Sequence, residues 1–165
     1  MKRYLYQPSH FFIQMTLPGI FTGMIGVFSI FQVFRSEYSI LYLLVLGLCI
    51  YNVWNVFISL SNPSEIIVDD NQSIEFCAYR RSHKYEMNQI QQFSMRPLAG
   101  NTRMYMTINN GGLLKGRYWI RICEFSNEKE LEEFFYDLDV KINPESLVSN
   151  ARSQGRERLK KLGKL

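Results

Sequence analysis

Two uncharged, apolar runs stand almost back to back near the N-terminus, residues 11–34 and 38–63, with only Arg35, Ser36 and Glu37 between them. Beyond them the chain turns polar, and apolar positions recur with a period of two. An α-helix rises ~1.5 Å per residue, so roughly 20 uncharged residues match the ~30 Å hydrocarbon core of a bilayer. Two such runs joined by so short a turn predict a transmembrane helical hairpin over residues 11–61, with spans of about 11–34 and 38–60.

Within the first run Gly19 and Gly23 form a GxxxG, and Gly26 lies a further turn along. Small residues at this spacing let helix backbones approach closely in lipid. The chain's own second span is the favoured neighbour; a second copy is the alternative. Pro18 is expected to kink the helix. The second run carries Asn52, Asn55 and Ser59 on one stripe. Amides and hydroxyls in a membrane want partners, so this stripe is expected to face protein. Neither span holds an ionisable residue of the kind a transport pathway uses.

After Pro63 the alternation predicts short strands. Ile66 and Val68 lie in the first, which ends at the turn Asp69-Asp70-Asn71, and Ile74, Phe76 and Ala78 lie in the second. Residues 84–95 form a third element and residues 97–101 a turn. Met104, Met106 and Ile108 alternate in the next strand, and Asn109-Asn110-Gly111-Gly112 is a strong hairpin signal. Residues 117–125 predict the last strand, with Tyr118, Ile120 and Ile122 on one face and Arg117, Trp119 and Arg121 on the other. A helix then follows. Ser126 or Asn127 is placed to cap it, with Glu130 completing the box, and Leu131, Phe134, Phe135 and Leu138 make an apolar stripe. Residues 63–142 are thus expected to form a small α+β domain, and residues 143–165 a basic, flexible tail.

Composition changes the picture in three ways. The mean hydropathy of −0.13 averages a greasy third with a polar remainder and says little by itself. The net charge of +4 equals that of the segment 145–165, where six Lys or Arg stand against two Glu. Lys2, Arg3, Arg80, Arg81 and Lys84 flank the spans on one side and only Arg35 on the other, which puts both termini in the cytoplasm and the chain in the cell membrane. A cleaved signal peptide is the weaker reading of the first run, because the run is long and lacks a small-x-small end. Cys49, Cys77 and Cys123 have no ligand spacing, and His10 and His83 are isolated, so neither a metal nor a cofactor is expected.

Strands followed by one amphipathic helix give the order of a pleckstrin-homology-like domain. The residues Tyr85-Glu86-Met87-Asn88-Gln89-Ile90, the Tyr105 strand, Tyr118-Trp119-Ile120 and Phe125 to Leu131 resemble bacterial membrane proteins with two N-terminal spans before such a domain, the YcxB-like group. The resemblance covers about residues 11–140. It implies a membrane hairpin followed by a small antiparallel-sheet domain capped by a helix, in a scaffolding or regulatory role. Phosphoinositide-binding pleckstrin-homology domains carry basic residues between their first two strands; the matching turn here, Asp69 to Gln72, is acidic.

The functional expectation is a non-enzymatic adaptor that binds a protein partner at the cytoplasmic face through Arg117, Trp119 and Arg121, since Trp and Arg dominate binding hot spots. The alternatives are recognition of anionic membrane lipid by Arg80, Arg81, Lys84, Arg152, Arg156, Arg158, Lys160 and Lys161, or an oligomeric channel or transporter subunit built on the glycine face. A pI near 9.0 suggests nucleic acid. That reading is set aside because the aromatic residues lie in spans and strand cores.

Overall fold

A computed structural model describes residues 1–69, 72–97, 103–112 and 114–144. The first surprise comes before the hairpin. Lys2–Leu5 is a strand, β1, that pairs antiparallel with Glu65–Asp69, β2, placing Tyr4 opposite Ile66 and Lys2 opposite Val68. Tyr4 and Tyr6 alternate with charged or exposed neighbours, and both are buried. The hairpin is therefore an insertion between two paired strands, and the sheet portion takes in the first residues of the chain as well as those after residue 63.

Two helices form the hairpin. The first, α1, runs Pro8–Arg35 and the second, α2, runs Ser39–Ile58; both are long and apolar enough to cross a membrane. Pro8 opens α1, where a missing N–H costs nothing. The helix passes Pro18 unbroken: a π-helical turn at Phe12–Thr16 lies just ahead and absorbs the hydrogen bond that proline cannot make. A second π-helical turn, Trp54–Ile58, closes α2, and Leu60 takes a left-handed φ of 52° that ends the helix. Large apolar side chains point outward along both helices; Phe34 is 85% exposed and Ile40 77%.

The rest is two antiparallel sheets and a helix. In the first sheet β1 and β2 are followed by β3 (Ser73–Ala78) and β4 (Arg81–Glu86), in spatial order 1-2-3-4. The second contains β5 (Phe93–Pro97), β6 (Met104–Ile108) and β7 (Arg117–Ile120), in order 5-6-7. The closing helix, α3, is Glu128–Ile142. The inner faces of both sheets and the Leu131, Phe135 and Leu138 stripe of α3 share one core, in which Ile66, Phe76, Met106 and Tyr118 are fully buried.

Several elements differ from the sequence reading. The acidic turn after Asp69 joins the second and third strands, because Lys2–Leu5 takes the first place; Asp70 and Asn71 lie outside the described residues. Residues 84–95 do not form one element: a 3₁₀ turn at Met87–Gln89 separates β4 from β5 and passes the chain from one sheet to the other. Asn109 and Asn110 do adopt left-handed angles, but the loop continues to Gly116 (φ 92°), whose carbonyl accepts from Ile108 N–H at 2.9 Å. The last strand stops at Ile120. A 3₁₀ turn at Ile122–Glu124 follows, and Phe125 then bridges to Tyr6.

The capping box is absent. Ser126 Oγ accepts from the Leu5 N–H at 3.0 Å, Asn127 sits at φ 54° without a side-chain cap, and Glu130 pairs with Lys2. The demands of the β1 edge outweigh the local cap. The basic tail, with Arg152, Arg156, Arg158, Lys160 and Lys161, lies outside the described residues.

Candidate functional site

Because the hairpin leaves and re-enters between β1 and β2, its base rests on the sheets and is held by three sets of contacts. One is an aromatic wedge. Tyr79 and Arg80 form the two-residue turn between β3 and β4, both at positive φ (50° and 63°), as the hand of such turns requires. This aims the Tyr79 ring between the two helices, 5.6 Å from Phe11 and 5.3 Å from Phe57 between centroids, and its hydroxyl meets Thr16 Oγ1 at 3.0 Å. Burial raises the Tyr79 phenol above its ordinary value, so the group is neutral at pH 7.

A second contact is polar and runs across the base of α1. Gln14 Oε1 accepts from Tyr6 OH (2.9 Å) and from Arg121 Nη1, and its amide donates to Glu124 Oε1 at 3.3 Å. Glu124 Oε2 lies 2.6 Å from His10 Nδ1. The His10 hydrogen bond, helped by Gln14, holds the Glu124 carboxyl below its usual range. Burial pushes the Tyr6 phenol up to about 12, with the nearby Glu124 charge adding to the effect. The third contact is backbone: Trp119 N–H donates to Ser61 O, which ties β7 to the exit of α2.

Beside these contacts a cleft of about 520 Å³ opens between the hairpin base and the second sheet. Leu48, Tyr51, Asn52 and Asn55 of α2 face it, at the i, i+3, i+4, i+7 spacing of one helix face. Arg103, Trp119 and Arg121 face it from the sheet, Met15 and Pro18 from α1. Polarity is graded along it: amides and guanidinium groups stand at the sheet end, and Leu48 lies about 10 Å further along the helix. No carboxylate lines it among the described residues. The Arg121 Nε is buried and has no hydrogen-bond partner.

The residues singled out from the sequence are distributed as follows. Trp119 and Arg121 share the cleft wall, Trp119 being 41% exposed with its ring 4.6 Å from that of Tyr105. Arg117, on the same strand face, instead donates from Nε to Gly111 O at 2.7 Å and serves the adjoining loop. Asn52 and Asn55 look into the cleft, and the Asn55 amide donates back to Tyr51 O. Neither lies between the helices. That place is taken by the glycines: a Cβ on Gly19 would stand 2.8 Å from the Phe57 ring and one on Gly26 3.2 Å from Cys49, whereas one on Gly23 would meet nothing nearer than 3.9 Å. Ser59 is buried against Ser61, hydroxyl to hydroxyl at 2.5 Å.

Arg80 and Arg81 sit at the hairpin end of the first sheet, where Arg81 Nη1 reaches Phe57 O at 3.5 Å. Lys84 is further along β4, opposite Glu75 and beside Glu86, and does not join them. Cys49 is buried in the hairpin, Cys77 half-buried and Cys123 exposed. Among the described residues no three or more His, Cys, Asp or Glu gather where they could hold a metal ion.

The sequence reading missed Tyr79, Arg103 and a buried polar network. In that network Tyr118 OH meets Tyr85 OH at 2.7 Å and His83 Nδ1 at 3.0 Å, and the Tyr118 ring stacks on Phe76. Burial drives the Tyr118 phenol far above its ordinary value and lowers His83, with Lys115 adding to the latter. All three groups are neutral at pH 7, and the network acts as a peg joining the two sheets.

Compared with protein-family models, with curated proteins and with solved structures, the chain matches none.

Proposed function

We propose that this chain is an integral membrane protein that fixes a pleckstrin-homology-like domain against the inner face of the cell membrane, and that it works as a recognition module without catalytic activity. The observation that carries the reading is the insertion of the hairpin between β1 and β2. With both ends of the hairpin built into one sheet, the domain is seated at the bilayer surface and not tethered to it. Among the described residues, seven strands divided four and three, then one helix, agree with the order of strands before a closing helix that the pleckstrin-homology resemblance implies. The hairpin occupies the connection between the first two strands, the place from which soluble members of that fold reach for headgroups. Recognition therefore passes to the face carrying Arg103, Trp119 and Arg121, which lies level with the hairpin's end.

The Trp119–Tyr105 pair favours a second reading, an adaptor that docks a protein partner at this face, since exposed Trp beside Arg is hot-spot chemistry. A photoreactive amino acid at position 119 of the full chain, irradiated in native membranes, tests whether the face is in use. The expected result is an adduct there well above that at exposed Glu133 of α3. Equal labelling at the two positions would overturn the proposal.

A further inference from the structure

We infer that the cleft between α2 and the second sheet holds one anionic glycerophospholipid of the surrounding leaflet, its phosphate between Arg103 and Arg121 and an acyl chain along Leu48. This deepens the proposed function and rests on it, because a lipid reaches the cleft only if the hairpin is in a bilayer.

Four observations converge. First, the cleft has two guanidinium groups and no lining carboxylate among the described residues; Glu124, close enough to Arg121 to interact electrostatically, is hydrogen-bonded by His10 and Gln14. Second, Arg121 lines the cleft and is preorganised by Gln14 through Nη1. A phosphate oxygen is the acceptor that an arginine fork matches best. Third, the polarity gradient fits an amphiphile and not a soluble anion. Asn52, Asn55 and Asn62 can hydrogen-bond a headgroup at the sheet end, while Leu48 offers apolar wall about 10 Å deeper along the hairpin. Fourth, Trp119 lines the cleft from the sheet and is partly exposed, and an indole is favoured at membrane interfaces. The volume of about 520 Å³ takes a headgroup and the start of a chain, leaving the remainder of the lipid in the bilayer.

Native mass spectrometry of the full chain, released from mild detergent after incubation with dioleoylphosphatidylglycerol, dioleoylphosphatidylcholine or glycerol phosphate, tests the inference. One retained phosphatidylglycerol is expected, with phosphatidylcholine retained roughly tenfold less and glycerol phosphate unable to compete. Arg121→Gln and Arg103→Gln should each lower phosphatidylglycerol retention roughly tenfold, the worth of a charge-assisted hydrogen bond, without changing phosphatidylcholine. Arg103 is exposed, so its variant keeps the test valid if Arg121→Gln misfolds. A paired Arg80→Gln, Arg81→Gln variant should retain the lipid.

Equal retention of the two lipids, or insensitivity to both cleft arginines, overturns the inference, as does displacement by glycerol phosphate, which would make the ligand a soluble phosphate. Adducts at position 119 together with any of those results would sink the lipid assignment alone. Uniform labelling in the photochemical experiment would sink the underlying reading.

Discussion

Tyr79 is where the fold joins its two halves, and its removal can be reasoned through quantitatively. The ring is partly buried between Phe11 and Phe57, one from each helix, and its hydroxyl bonds Thr16. Tyr79→Phe loses only the hydrogen bond, about 1 kcal/mol. Tyr79→Ala also loses the ring. A fully buried aromatic costs about 3–5 kcal/mol on truncation, so a half-buried one with two ring contacts is placed at about 2–3 kcal/mol in all. Backbone strain separates the terms further. Tyr79 sits at φ 50°, where any side chain is disfavoured by about 1 kcal/mol relative to glycine, so Tyr79→Gly should be the more stable of the two truncations by that amount. For a chain of this size 1 kcal/mol moves Tm by about 2–4 °C. Thermal unfolding in mild detergent, followed by tryptophan emission, should therefore order the proteins wild type, Phe, Gly, Ala, with Ala about 8 °C below wild type. A Tyr79→Ala chain melting with the wild type, or Tyr79→Gly falling below Tyr79→Ala, would refute the wedge.

Further outcomes follow from the same contacts. Because the folded Glu124 carboxyl lies below its usual value near 4.5, its interaction contributes stability above that value and loses it as pH falls through the folded pKa; Glu124→Gln should be less stable than wild type at pH 7, the gap closing in acid, as a Tm-against-pH series would show. Gly19→Ala drives a methyl against Phe57 and Val56 and should lower Tm by several degrees, about 1–3 kcal/mol, whereas Gly23→Ala should leave it within about 1 kcal/mol. The reverse order would mean that Gly23 packs on something outside the chain. Maleimide labelling of the native protein should add one mass unit of reagent, at exposed Cys123. Cys49 is buried, and burial, with the Glu75 and Glu65 charges, pushes the Cys77 thiol up to about 11, so rapid double labelling would contradict the packing.

The hairpin was legible because the absence of charge over some fifty residues is a signal no turn chemistry can mask. The β2, β3 and β6 strands were legible from plain alternation. Lys2–Leu5 was not: four residues carrying two charges read as the flank of a span, and only pairing with Ile66 and Val68 makes Tyr4 an inward position. That one omission displaced everything topological, including which turn joins the first two strands. The cleft suffered from the same gap. Trp119, Arg121, Asn52 and Asn55 each stood out singly, but their meeting depends on a hairpin seated on the sheets by Tyr79 and Gln14, contacts between residues up to 110 apart in the chain. Arg103 gave no local signal, because a lone arginine at a strand's entry is ordinary.

The account depends on a hairpin that crosses a bilayer with the sheets at one end. Right-side-out vesicles carrying the full chain with Ser36→Cys decide this most directly, using a membrane-impermeant maleimide before and after permeabilisation. The expected result is labelling of position 36 from outside in intact vesicles and of Cys123 only once the membrane is opened. Labelling of both positions in intact vesicles, or of neither until lysis, would place the two ends of the hairpin on the same side and contradict the account.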